Sequence, residues 1–124
     1  MTKARRAQVL ETLTKARDLI QDRERWTQSA MARDSDGNPT YVHSESAVCW
    51  CDFGAIDFVT NSDTELSLAA MLVLFDAITE ENPEYREFGH TPTRVVVSFN
   101  DSHSHADVLR ITDRAIELVS GAPE

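Results

Sequence analysis

Much of what usually betrays chemistry or location is missing from this sequence. Only two cysteines occur in 124 residues. Cys49 and Cys51 flank a single residue, a spacing that rarely closes an unstrained disulfide, so free thiols in a reducing compartment are expected. With four glycines and four prolines, and no Gly, Pro, Ser or Gln tract, nothing marks a disordered linker or a low-complexity segment. No internal repeat stands out. The longest strongly apolar run, LSLAAMLVLF from Leu66 to Phe75, is half what a bilayer-spanning helix needs, about 20 residues, and Asp76 follows it. It reads as a buried helix. The N-terminus MTKARRAQVLETL has charge but no apolar stretch of the secretory type, so a cytoplasmic location is the expectation. Gly-rich phosphate loops, a G-x-S-x-G elbow and zinc-ligand spacings are absent too, which removes several common enzyme classes.

What is present is an ordinary globular composition, 41% hydrophobic and 27% charged, in a length suited to one core. One domain over 1–124 is expected. The net charge of −9 is unevenly spread: residues 1–25 hold seven Lys/Arg against four Asp/Glu, and residues 26–124 hold five against seventeen. A basic amphipathic N-terminal helix on an acidic body follows. Such a body repels phosphate, so direct binding of nucleic acid is disfavoured, although an acidic surface could compete with nucleic acid for a basic protein.

Four segments carry helical periodicity. Val9, Leu13, Ala16 and Ile20 recur at intervals of four, three and four, giving a helix from Thr2 to about Arg25. In SESAVCWCDFGAIDFV, Ser44 or Ser46 is placed to cap a helix reaching Val59, and Gly54 inside it, at a cost of about 1 kcal/mol against alanine, suggests a close crossing by another element. Ser62 and Glu65 form a capping-box pair before Leu66, Ala70, Val73, Leu74, Ala77 and Ile78. Ser104 and Asp107 do the same before Val108, Ile111, Ala115, Ile116 and Val119, with Gly121 and Pro123 as stops. The β-branched run RVVVSF, Arg94 to Phe99, reads as a strand, with TYVH near 40–43 as its only visible partner. The fold class expected is mainly α: a bundle of about four helices with long loops and at most one short two-stranded ribbon.

Polar residues concentrate in FNDSHSHADV, Phe99 to Val108. Helix capping accounts for Ser104 and Asp107. A metal site would recruit His103 and His105 with Asp101 or Asp107, but histidines two apart converge only on extended backbone, and no H-E-x-x-H accompanies them. The histidines therefore read as incidental. Asp34, Asp36 and Gly37 resemble part of a calcium loop, yet Ala32 and His43 stand where ligands are required. No metal and no cofactor is expected. A thiol site would combine Cys49, near a helix N-terminus, with His90, His103 or His105 and with Asn100 or Asp101, Cys51 pointing elsewhere around the helix. Against it, cysteine in an apolar helix is usually inert packing. Asp52 and Asp57 diverge at i,i+5, so one is expected in solvent and the other beside an arginine such as Arg110 or Arg114.

Three stretches, WTQSAMARDSDG from Trp26, AVCWCDFGAI from Ala47 and FNDSHSHADVLRITDRAIE from Phe99, resemble in order the bacterial and phage family called domain of unknown function 6197. The chain departs from that pattern at Phe99, where a tryptophan often stands, and at His103–His105, where a Gly-Arg-Thr-like link is usual. The resemblance implies a mostly helical single domain and brings no activity with it.

The leading expectation is a non-enzymatic protein that acts through a protein partner, a second copy of the chain being one candidate, with no membrane insertion. The alternative is a small enzyme or ligand-binding domain with a pocket between Cys51 and the Asn100-Asp101 turn, its candidate cluster being Trp26, Cys51, Asn100, Asp101 and His103. Mimicry of nucleic acid is a weaker reading, requiring carboxylates gathered on one face. No residue is assigned a catalytic role.

Overall fold

In a computed structural model, which describes residues 1–87 and 89–121, the chain is mainly helical. The elements run α1 (Lys3–Ile20), a single 3-10 turn (Arg23–Arg25), β1 (Ala32–Arg33), β2 (Cys49–Trp50), α2 (Asp52–Val59), α3 (Thr64–Glu81), α4 (Glu84–Glu87), α5 (Pro92–Ser102) and α6 (His105–Ser120). Six helices among the described residues replace the four expected. Of the last helix's two expected stops, Gly121 is its C-cap, whereas Pro123 lies outside the described residues.

The extra helices come from two places where local chemistry overrode a simple pattern. RVVVSF is not a strand. Thr91 accepts a hydrogen bond from Arg94 N at 3.2 Å as N-cap, and Pro92, with φ already helical and no N–H to lose, occupies the first turn of α5. Val95, Val96, Phe99 and Asn100 are then buried at i, i+1, i+4 and i+5, one helical stripe. The acidic stretch after Asn82 supplies the short α4.

The two-stranded ribbon exists but elsewhere: Ala32 pairs with Trp50 and Arg33 with Cys49, antiparallel. TYVH forms no strand. α2 consequently starts later than Ser44 or Ser46 would give, after Cys51, whose Sγ accepts from Gly54 N at 3.2 Å. α3 is capped by Asp63, which accepts from Leu66 N at 3.1 Å, rather than by Ser62. Ser62 instead turns through the left-handed region with Asn61.

α1 packs on α2 and α6, and α3 on α5 and α6. Leu13, Ile20, Met71, Leu74, Phe99 and Ile111 fill the space between them, each almost wholly buried. The crossing implied by Gly54 is real: a Cβ there would drive into the Met31 carbonyl group, its carbon only 2.8 Å away. The basic face of α1 is partly spent inside the molecule, Arg17 on Asp113 and Arg5 on Glu65 at 3.7 Å. No helix among the described residues is long and apolar enough to cross a membrane.

Candidate functional site

The helix ends α1 C-terminal, α2 N-terminal, α5 C-terminal and α6 N-terminal meet beside the segment Trp26–Ser29, and the FNDSHSHADV residues lie at that meeting point. Each end leaves backbone groups without intrahelical partners, so polar side chains are needed there if the junction is to be buried. Asn100, on the last turn of α5 and fully buried, supplies most of them. Its Oδ1 accepts from Trp26 Nε1 at 2.7 Å and from the backbone N of Asp52, first residue of α2, at 3.2 Å. Its Nδ2 donates to Thr27 O and to Asp101 Oδ1, each at 3.1 Å. Two acceptor sites and two donors exhaust what a carboxamide offers.

Neighbouring residues complete the arrangement. Gln28 Nε2 donates to Asn100 O at 3.0 Å and His103 O at 2.9 Å, closing the C-terminal end of α5. Ser29, held at a φ of 64°, donates its N–H to Asp101 Oδ1 at 2.8 Å. Arg33 ties the same segment from outside, donating to Thr27 Oγ1, Gln28 O and Gly37 O. No buried side-chain nitrogen or oxygen among the described residues lacks a hydrogen-bond partner.

The histidines are not incidental. His103 stacks on Phe99 with 3.8 Å between ring centroids, and its Nδ1 lies 3.0 Å from Phe99 O. Because Phe99 O can only accept, Nδ1 carries a proton. His105 Nε2 lies 2.7 Å from Ile20 O and donates to this last carbonyl of α1, while its ring lies against Trp26. Ser104 caps α6, accepting from Asp107 N at 3.1 Å, as the sequence indicated.

Cys51 and Asp52 belong to the same junction but oppose thiol chemistry. Burial pushes the Cys51 thiol up to about 12, with the nearby carboxylates of Asp52 and Asp101 adding to the shift. The thiol stays protonated at neutral pH, the wrong state for a nucleophile. Cys49 is buried in β2 rather than at a helix N-terminus, and both cysteines are unbridged. Asp52 contradicts the expectation of solvent or an arginine. It is enclosed, it accepts from Phe53 N at 2.8 Å, and burial lifts its pKa to about 7, with Asp101 pushing the same way and backbone N–H groups pulling back. Arg110 and Arg114 instead pair with Glu81 and Glu80.

Of the sequence-derived cluster, Trp26, Cys51, Asn100, Asp101 and His103 all fall at this junction. Thr27, Gln28, Ser29 and Asp52 complete it. Nothing local in the sequence distinguished Thr27, Gln28 or Ser29, whose partners lie up to 75 positions away, and Asp52 stood out only as a carboxylate paired in sequence with Asp57. A cleft of about 330 Å³ opens beside the junction, with Arg23, Trp26, Gln28, His103 and His105 in its wall. No group of three or more metal-ligating side chains occurs among the described residues.

The order Trp26 segment, Cys51–Gly54 helix start and Asn100–Asp101 turn is therefore one connected structure. No curated protein and no solved structure matches the chain. A family model matches residues 4–118, and the chain accordingly belongs to the family of unknown function DUF6197.

Proposed function

We propose that this is a non-enzymatic protein of the cytoplasm that works as a single unit by presenting a surface to a protein partner. The observation that carries this reading is a run of rings reaching from the interior to solvent. Buried Trp50 meets Phe58 at 5.2 Å, Phe58 stacks on His43 at 5.5 Å, and His43 meets Tyr41 at 5.6 Å. Phe58 is 38% and Tyr41 68% exposed. Exposed aromatics held by a rigid stack are the side chains protein interfaces favour, since they give contact area at little entropic cost. The Asn100 junction serves this surface indirectly, by fixing the segment that leads into Tyr41 and His43.

Two further observations support the choice. The polar residues that could have formed an active site are consumed by helix ends, and the Cys51 thiol is protonated. Mimicry of nucleic acid fits poorly, because Asp76, Glu80, Glu81 and Asp113 are interleaved with arginines instead of forming a uniform acidic face.

Affinity capture from the source cell tests the proposal by comparing the wild-type chain with a Tyr41→Ser, Phe58→Ser variant. A protein retained by the former and lost by the latter is expected. Equal recovery by both, or recovery of nothing, overturns it.

A ligand-binding role is the second reading, favoured by the cleft beside Trp26 and His103. Arg23 would supply the positive charge for a small anion there. Titration calorimetry with inorganic phosphate and small carboxylates checks it, with heat that disappears in Arg23→Ala as the expected result.

A further inference from the structure

A second surface is apolar for a different reason. On α3, Leu68 and Leu72 stand one turn apart and point outward, 48% and 43% exposed. Leu68 shares a shallow groove with Phe53, Asp57 and Thr93, and Thr93 continues into a second, larger depression along α5 with Arg94, Val97 and Asp101. Because Thr93 lines both, the two are one continuous face over α3 and α5. Its apolar residues are Phe53, Leu68, Met71 and Val97, threonines and serines line the rest, and its charges are Asp57, Arg94 and Asp101.

The charges indicate what covers it. All five cations after residue 25 are arginines. Arg86, Arg110 and Arg114 pair with Asp76, Glu81 and Glu80, and Arg33 is spent on Thr27, Gln28 and Gly37. Arg94 is different. Among the described residues its guanidinium has no carboxylate or hydrogen-bond partner, and the Asp57 carboxylate at the other end of the face has no ion-pair partner either. A two-fold axis turns such a face into its own complement: Arg94 of each copy meets Asp57 of the other, with the leucines between. A chain of net charge −9 repels another copy over most of its surface, and the Arg94 cation offsets that repulsion locally on this face.

We propose that the α3 and α5 face, centred on Leu68 and Leu72, is a homodimer interface in which Arg94 and Asp57 pair across a two-fold axis. Neither Tyr41 nor Phe58 lines this face, so the dimer would present two copies of both to a partner. The inference stands whether or not that partner exists.

Sedimentation equilibrium of the full chain tests it. The wild type is expected at twice the 13.9 kDa chain mass, and Leu72→Glu at the single mass with an unchanged circular dichroism spectrum. Arg94→Asp alone is expected to be monomeric, and Arg94→Asp combined with Asp57→Arg to recover the dimer. A monomeric wild type at the highest soluble concentration overturns the proposal, as does a dimer that survives Leu72→Glu. A double variant that stays monomeric overturns the Arg94–Asp57 pairing.

Discussion

Trp26 donates its indole N–H to the side-chain carbonyl of Asn100 across 74 positions of sequence, at 2.7 Å, and the same oxygen accepts the first backbone N–H of α2. One buried carboxamide thus joins the loop after α1, the start of α2 and the end of α5. The consequence is energetic: a half-satisfied polar junction costs more than an apolar one, so each member depends on the others.

Asn100→Ala is expected to destabilise the fold by about 3 kcal/mol, because it strands the Trp26 indole N–H, the Asp52 N–H and the Thr27 carbonyl in a dry interior. Urea denaturation followed by tryptophan fluorescence checks the value. A change within a few tenths of a kcal/mol would show that water replaces the side chain.

Gly54→Ala should also destabilise, by about 2 kcal/mol or more, although helix propensity alone gives a gain of about 1 kcal/mol. The added methyl meets the Met31 carbonyl group, and backbone cannot swing aside as a long side chain can. A rise in melting temperature for this variant would contradict the close crossing.

The pH dependence follows from Asp52. Its folded pKa of about 7 lies above the ordinary 3.8, so between these values the folded chain holds a proton that the unfolded chain has released. Stability from this group is therefore fully present below about pH 4, falls as pH rises to 7 and is level beyond it, a loss on the order of 4 kcal/mol from the shift. The carboxyls held below their ordinary values, Glu11 by Lys15 and Glu80 by Arg114, act with the opposite sign, in a window below that of Asp52. The difference between wild type and Asp52→Asn isolates the term, and Asp52→Asn is expected to gain stability relative to wild type between pH 5 and 8. A pH-independent difference would place the Asp52 carboxyl in contact with water.

Both thiols should react with a disulfide reagent only through unfolding. Cys51 combines burial with a thiol held up to about 12, and Cys49 is buried in β2. The expected labelling rate in native buffer is slower than that of a model thiol by a factor on the order of 10³, and addition of urea should restore it. Fast labelling of Cys51 in native buffer would revive a thiol site.

What sequence could reveal here was what neighbours in sequence determine. The stripe of α1 and the Ser104 cap of α6 depend on residues within a few positions, and both were legible; at Gly54 the glycine signalled a close approach but not its partner, Met31, which is distant in sequence. Arg94–Phe99 has the β-branched content of a strand, but the Thr91-Pro92 start fixes the helical φ before the valines are reached. Ser62 fits a capping box with Glu65, but Asp63 holds the cap position one residue on. The candidate cluster itself was legible as a list: Trp26, Cys51, Asn100, Asp101 and His103 do meet. Its meaning was not, since whether a buried asparagine binds a ligand or closes helix ends depends on partners such as Gln28 and Asp52, far off in sequence. Asp52 was misplaced for the same reason, its enclosure being set by packing from α5 and the Trp26 segment.

A double-mutant cycle between Trp26→Phe and Asn100→Ala tests most directly whether the polar cluster is a structural junction. Trp26→Phe keeps a ring and removes the donor, so the cycle isolates the side-chain contact. The account predicts a coupling energy of about 1 to 2 kcal/mol in unfolding free energy. Additive effects of the two substitutions would contradict it, and would leave Asn100 buried and polar for some purpose other than holding the helices together.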